Sequence, residues 1–311
     1  MPEWLYEAGI GEARAALIAD DRIVEAAIER DDGSLRVGHV ARARLIDRHT
    51  GRVRLDGGPE AQLQGPPGVP EGGALTVAIT REALPEPGRT KLARAVVTDA
   101  APAPGPDLLA RIAATGLPVR RASAHEPDLL EAAGWSELLE EAADGEIAFA
   151  DGALRMSPTP AMTLFDVDGA PPAEPLALRA AQAVAHAIRR HGIGGSIGID
   201  FPTLPGKAAR QTVAAMLDAH LPPPFERTTV NGFGFLQIIR PRPRASLPEL
   251  IRADPVTAAA CALLRRLERE GPAGSRQHRV TPAILARLRA RPDWLAELTR
   301  RTGVVHQFED R

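Results

Sequence analysis

The 311-residue chain is short of cysteine, lysine and aromatic side chains, and each shortage excludes something. A single cysteine, Cys261, rules out a disulfide framework and a multi-cysteine zinc cluster within one chain. A homodimer formed by packing stays open. Lysine occurs only at Lys91 and Lys207, so 36 of the 38 cations are arginine, the mark of a GC-rich coding bias before any function. No apolar run approaches the ~20 residues of a membrane span. The opening MPEWLYEAGIGEARAAL lacks a cationic start followed by an apolar stretch, so a cytoplasmic protein with no membrane segment is expected. There is no GxxxxGK[ST] phosphate loop and no HExxH pair.

What is present is ordinary in amount and uneven in placement. At 44% hydrophobic residues the chain can fill the cores of about two domains. The net charge is −2, but residues 201–311 hold 18 of the 38 cations and only 10 of the 40 acids. Such an asymmetry marks either a face for a polyanion or attraction between the two halves.

The pattern divides the chain into five segments. Residues 1–35 read as N-terminal strands, with runs at 15–18 and 22–29 around the turn residues Asp20-Asp21. Residues 36–98 hold short alternating runs between Gly/Pro/Asp turns, as in a small β-barrel. Residues 99–145 form a short connector with helices expected at 107–115 and 127–142. Residues 146–250 follow a strand–helix–strand–helix–strand order, the α/β signature. Residues 251–311 are mainly helical. The predicted class is thus α/β, in the wider sense of a multidomain α+β chain: an oligonucleotide-binding-like barrel, a nuclease-like domain and a small C-terminal domain.

The informative geometry lies between residues 161 and 201. Asp166 and Asp200 each sit toward the end of a short apolar run, separated by about 18 helical residues, the length of a right-handed crossover between parallel strands. Adjacent strands would bring both carboxylates to one sheet edge, where open α/β sheets hold their sites. Two close carboxylates repel unless a cation or a shared proton compensates them. Magnesium suits such a pair, because it keeps water and substrate phosphate in its remaining positions. Asp168 is placed to orient a water. Taken singly, either aspartate could be a loop residue or a helix cap; the pairing carries the reading. The stretch GGSIG at 194–198 matches the hydrolase elbow G-x-S-x-G only formally, since a helix precedes it and a strand follows.

Three stretches, DGALRMSPTPAMTLFDVDG (151–169), LRAAQAVAHAIRRHGIGGSIGIDF (178–201) and GFGFLQIIRPR (232–242), resemble the catalytic domain of the ribonuclease E/G family. In that family a strand ending in Ile-Asp-Val-(Asn/Asp) is followed by a helix, a Gly-Gly turn, a strand ending in Ile-Asp-Phe and a later Phe-Gly segment with Arg-x-Arg. The resemblance implies that Asp166 and Asp200 bind magnesium and that Asp168 orients the attacking solvent. It implies hydrolysis of single-stranded RNA to 5′-phosphate and 3′-hydroxyl products. Arg240 and Arg242 match the Arg-x-Arg and open the run IRPRPRASLPE, whose prolines would hold an extended strip of arginines for phosphate; a solvated basic loop is the alternative. Lys207 is a phosphate-neutralising candidate or an ordinary surface charge, and Phe233 a base-stacking candidate or a core residue.

The chain departs from the family in three respects. No aromatic residue lies between Tyr6 and Trp135, so the barrel lacks the stacking worth about 1–3 kcal/mol per base; only Arg36, His39, Arg52, Arg89 and Lys91 are candidates for backbone contact there, and solvated surface cations are the alternative reading that the sequence favours. No 5′-end-sensing motif occurs between 98 and 145. The paired zinc-link cysteines are missing. The leading expectation is a compact magnesium-dependent endoribonuclease. The alternatives are a catalytically weak or inactive RNA-binding scaffold and a phosphodiesterase acting on a smaller nucleotide.

Overall fold

The computed structural model describes residues 1–86 and 88–310, the Arg89 side chain excepted, so the contact expected of Arg89 lies outside the described residues. Among them α and β structure are mixed, with nine α-helices and a closed five-stranded barrel. No helix among them is long and apolar enough to cross a membrane.

Strands β1 (Glu3–Ala8), β2 (Glu12–Ala19) and β3 (Arg22–Arg30) open the chain. Asp20 and Asp21 take φ of 51° and 57°, the left-handed pair that a two-residue hairpin turn requires and that aspartate tolerates. The barrel uses β4 (Val40–Asp47), β5 (Arg52–Leu55), β6 (Glu60–Leu63) and β7 (Ala74–Arg81). A short antiparallel pair follows, β8 (Leu84–Glu86) and β9 (Arg89–Lys91). Then β10 (Ala93–Val97) closes the ring in the order β10-β6-β5-β4-β7. Its interior is filled by Ala, Val, Leu and Ile only, Ala43, Ala61, Ala93 and Ala95 among them. The strand period of two therefore turns Arg42, Arg44, Arg52 and Arg54 outward.

Beyond the barrel come α1 (Leu108–Ala113), β11 (Val119–Arg121), α2 (Leu129–Ala132) and α3 (Trp135–Asp144). The single helix expected over 127–142 is two, because Gly134 adopts a φ of 94°, which ends a right-handed helix. Strand β11 joins the first three in the order β11-β1-β2-β3.

The next segment builds one six-stranded sheet and its helical cover. It contains β12 (Glu146–Phe149), β13 (Gly152–Pro158), β14 (Thr163–Gly169), α4 (Ala173–Arg190) and β15 (Gly195–Asp200). It continues with α5 (Gly206–His220), β16 (Glu226–Arg227) and β17 (Phe235–Arg240). The sheet order is β12-β13-β14-β15-β17-β16. Strands β14 and β15 are parallel, as the length of α4 predicts; every other neighbouring pair is antiparallel. The second half of the expected α/β repeat is thus replaced by a hairpin: after α5 the chain lays β16 at the edge, turns, and returns as β17 beside β15. Apolar residues of the two helices, Ala180, Ala181, Val184, Ile188, Val213 and Leu217, pack with Leu154, Phe165, Ile197, Ile199, Leu236 and Ile238 of the strands. One sheet face is covered in this way.

The remainder consists of α6 (Leu247–Ala253), α7 (Pro255–Glu270), β18 (Gln277–Val280), α8 (Pro282–Ala290), α9 (Pro292–Thr302) and β19 (Gln307–Asp310). Strands β18 and β19 pair in parallel.

The chain divides into two compact units, neither continuous in sequence. One gathers Met1–Gly33, Leu108–Ser136 and Ile251–Arg311; the other holds Ser34–Asp107 and Glu137–Leu250. In the first unit a set of charges is buried. Arg14 meets Glu7 at 2.7 Å and Glu12 at 2.8 Å. Arg265 meets Glu7 at 2.8 Å and Asp128 at 2.7 Å, and Arg269 reaches Asp128 at 2.8 Å. Lone cysteine Cys261 is buried near them, its thiol pushed up to about 12, chiefly by burial.

Candidate active site

The second unit's sheet leaves one face without a helical cover, and that face carries the aspartates. On β14 the buried residues are Thr163, Phe165 and Val167, while Leu164, Asp166 and Asp168 alternate with them on the open side. On β15 the buried Ile197 and Ile199 leave Asp200 on the open side. Asp166 and Asp200 are register partners across the parallel pair, so their Cα atoms stand about 4.8 Å apart and their side chains share a face. Asp166 is half-buried and Asp200 exposed.

The register extends this pair into a row across the sheet. Glu146 on β12 faces Arg155 on β13, which faces Asp166; beyond Asp200 comes Phe235 on β17. Arg155 donates to Glu146 at 3.0 Å and lies 3.8 Å from Asp168. Its pKa is pushed up from the ordinary arginine value, first by the hydrogen bond to Glu146, then by the charges of Glu146, Asp168 and Asp166. The Phe235 ring leans over Gly198: a Cβ there would lie 2.7 Å from the ring and 3.0 Å from both Leu164 and Met162. Glycine at 198 is therefore what lets Phe235 settle.

Phe233 is fully on the surface, with 85% of it exposed, so it is not a core residue. A turn built by Asn231 holds it. The Asn231 side-chain oxygen accepts from the backbone N–H of Phe233 (2.9 Å) and of Phe235 (3.0 Å). Gly234, at φ 99°, brings its carbonyl to the Phe201 N–H at 3.2 Å. Any Cβ at 234 would sit 2.1 Å from the Phe201 carbonyl oxygen. The turn that presents Phe233 is thus pinned to the residue that follows Asp200. Lys207 is exposed in the first turn of α5, which starts six residues after β15 ends.

Arg240 and Arg242 are elsewhere. Arg240 is the register partner of Gly195, at the opposite end of β15 from Asp200, about 17 Å along the strand. Arg242 is ion-paired with Glu249, and its side chain packs where a Cβ on Gly195 would lie, 3.0 Å from its Cδ. Arg244 lies 3.7 Å from Glu82. Arg242 and Arg244 in the run after β17 thus lie beside acids, and Arg240 stands at the end of β15 away from the aspartate pair.

The donor set fits magnesium better than zinc. Among the described residues no three His, Cys, Asp or Glu side chains group to hold a metal, so no closed cage exists. Two hard carboxylates with the remaining positions open to water and phosphate are what magnesium accepts and zinc, with its nitrogen and sulfur preference, does not favour.

Three residues of this face escape a reading of the sequence: Arg155, Phe235 and Asn231. The signal for Arg155 is the TPAM turn at 159–162, closed by Thr159 against Met162, which sets the hairpin register that places Arg155 opposite Asp166.

No protein-family model matches the chain, and no curated protein matches it.

Proposed function

We propose that the protein is a magnesium-dependent endoribonuclease that hydrolyses single-stranded RNA to 5′-phosphate and 3′-hydroxyl products. The observation that carries the reading is the register pairing of Asp166 with Asp200 on an uncovered sheet face. Buried in apolar surroundings, two such charges would cost several kcal/mol; on an open face they are available to a cation. The resemblance of residues 151–244 to the ribonuclease E/G family supports the same assignment.

Asp166 and Asp200 would hold the magnesium, which when bound neutralises a phosphodiester and lowers the pKa of water. Asp168, on the same face two residues on, accepts a hydrogen from the attacking water and orients it. Exposed Phe233 offers its ring to a base, and stacking of this kind tolerates any sequence. Lys207 adds a positive charge at the end of the sheet where β15 finishes.

The test is incubation of labelled, A/U-rich single-stranded RNA with the protein in magnesium and in EDTA, beside the Asp166→Asn and Asp200→Asn variants. Cleavage that needs the metal and both aspartates is expected. Equal cleavage by the variants overturns the mechanism. Tight binding without cleavage selects the scaffold alternative.

A further inference from the structure

Position 155 carries a cation where the hydrophobic logic of the sheet does not call for one. Strand β13 alternates buried Leu154 and Met156 with open-face residues, and an arginine on that face needs no partner, since 57% of its side chain is in solvent. Exposed pairs such as Arg155 with Glu146 contribute little to stability, so holding the fold together is a poor account of this residue. Its placement is specific: it is the register partner of Asp166, one strand from the acidic pair, on the side opposite Phe235. Five consecutive positions thus read acid, cation, acid, acid, aromatic in a line perpendicular to the strands.

A flexible polyanion lying along that line would meet these groups in order. From β13 to the midpoint between β14 and β15 is one and a half strand spacings, about 7 Å, a span comparable to one nucleotide step. Arginine is the side chain whose fork of donors matches a phosphate. Glu146 at 3.0 Å orients the guanidinium without occupying all five of its donors. We infer that the RNA crosses the strands along this row and that Arg155 grips the phosphate next to the scissile one on the β13 side, while the base on the far side stacks on Phe233. The inference rests on the reading of the aspartate pair as the cleavage site. It makes Arg155 a substrate-positioning residue that aligns the chain for the chemistry.

The test uses the full-length protein and a short single-stranded RNA whose main cleaved bond has been mapped. Binding is followed by fluorescence anisotropy in the uncleaving Asp200→Asn protein, with and without Arg155→Gln, over a range of salt. Arg155→Gln is expected to weaken binding roughly tenfold, the size of one charge-assisted hydrogen bond. It should also lower the slope of log Kd against log salt by about 0.7, the value for one single-strand phosphate contact; Arg155→Lys should retain most of that slope. Replacing single phosphates by uncharged methylphosphonates then locates the contact. One substitution flanking the mapped bond should weaken binding to the Arg155 protein about tenfold and leave the Arg155→Gln protein unchanged. If Arg155→Gln binds as tightly as its parent, or if no flanking phosphate loses its effect in that variant, the inference falls while cleavage by the wild type stands. If the wild type neither binds nor cuts RNA, the functional reading falls, and the inference with it.

Discussion

Glu7 on β1 and Asp166 on β14 are both carboxylates set in apolar strands, and the two units of the molecule treat them differently. Glu7 is buried and met by Arg14, Arg265 and Arg269. Asp166 is on an uncovered face, its register neighbours are Arg155 on one side and a second acid on the other, and the arginine's closest carboxylates are Glu146 and Asp168. The first arrangement consumes the charge: each acid is matched to a guanidinium, and removing one partner strands the other in a low-dielectric interior. The second leaves two like charges side by side, a placement that is destabilising in itself and becomes favourable when a cation binds. Acids answered by arginine belong to architecture; acids set beside each other are, on the reading proposed above, where a cation would bind.

That contrast can be broken at four points. The largest effect belongs to the open face: Asp166→Asn or Asp200→Asn should lower single-turnover RNA cleavage by on the order of 10²- to 10⁴-fold. The urea unfolding midpoint should move little, because no buried partner is orphaned. Arg14→Met should do the reverse. It leaves Glu7 and Glu12 short of a cation in the interior and is expected to cost about 3–5 kcal/mol in urea unfolding, with cleavage per folded molecule retained. A loss of cleavage at full stability in Arg14→Met would erase the distinction between the two regions.

Gly198→Ala sharpens the comparison within the sheet. Its Cβ would press on Phe235, Leu164 and Met162, an overpacking of about 1–3 kcal/mol, and Phe235→Leu in the same chain should recover most of it. The smallest effect is an acid limb in unfolding. Burial tends to raise the Asp128 carboxyl, but the hydrogen bonds from Arg265 and from the Glu131 N–H, with the charges of Arg265 and Arg269, hold it below its ordinary 3.8. A depressed carboxylate contributes stability that is present above pH 3.8 and lost as pH falls below it. Asp128→Asn should therefore flatten the pH dependence of the unfolding midpoint below pH 3.8 and leave its shape above that value alone.

Local chemistry made several features legible before any coordinates. The Asp20-Asp21 turn and the α4 crossover between two strands follow from short-range rules of backbone conformation and side-chain period, whereas the apolar run at 161–167 hid that one face of β14 is open. Phe233 could be weighed only as core or platform, because its exposure depends on a turn that Asn231 and Gly234 lock against Phe201. Arg242 reads as a free cation in sequence, and the partner that claims it, Glu249, is brought to it by the fold of the segment into α6.

The sequence by itself determined that two aspartates, each toward the end of a short apolar run, are separated by one helical crossover, since that is a matter of spacing along a stiff, periodic backbone. Only the tertiary structure decided that β14 and β15 are immediate neighbours in a register that opposes Asp166 to Asp200, that β17 runs antiparallel, and that Arg155 joins the row while Arg240 lies off it, at the other end of β15. Those outcomes depend on which strand edges meet, and edge pairing is settled by the packing of the whole sheet against α4 and α5.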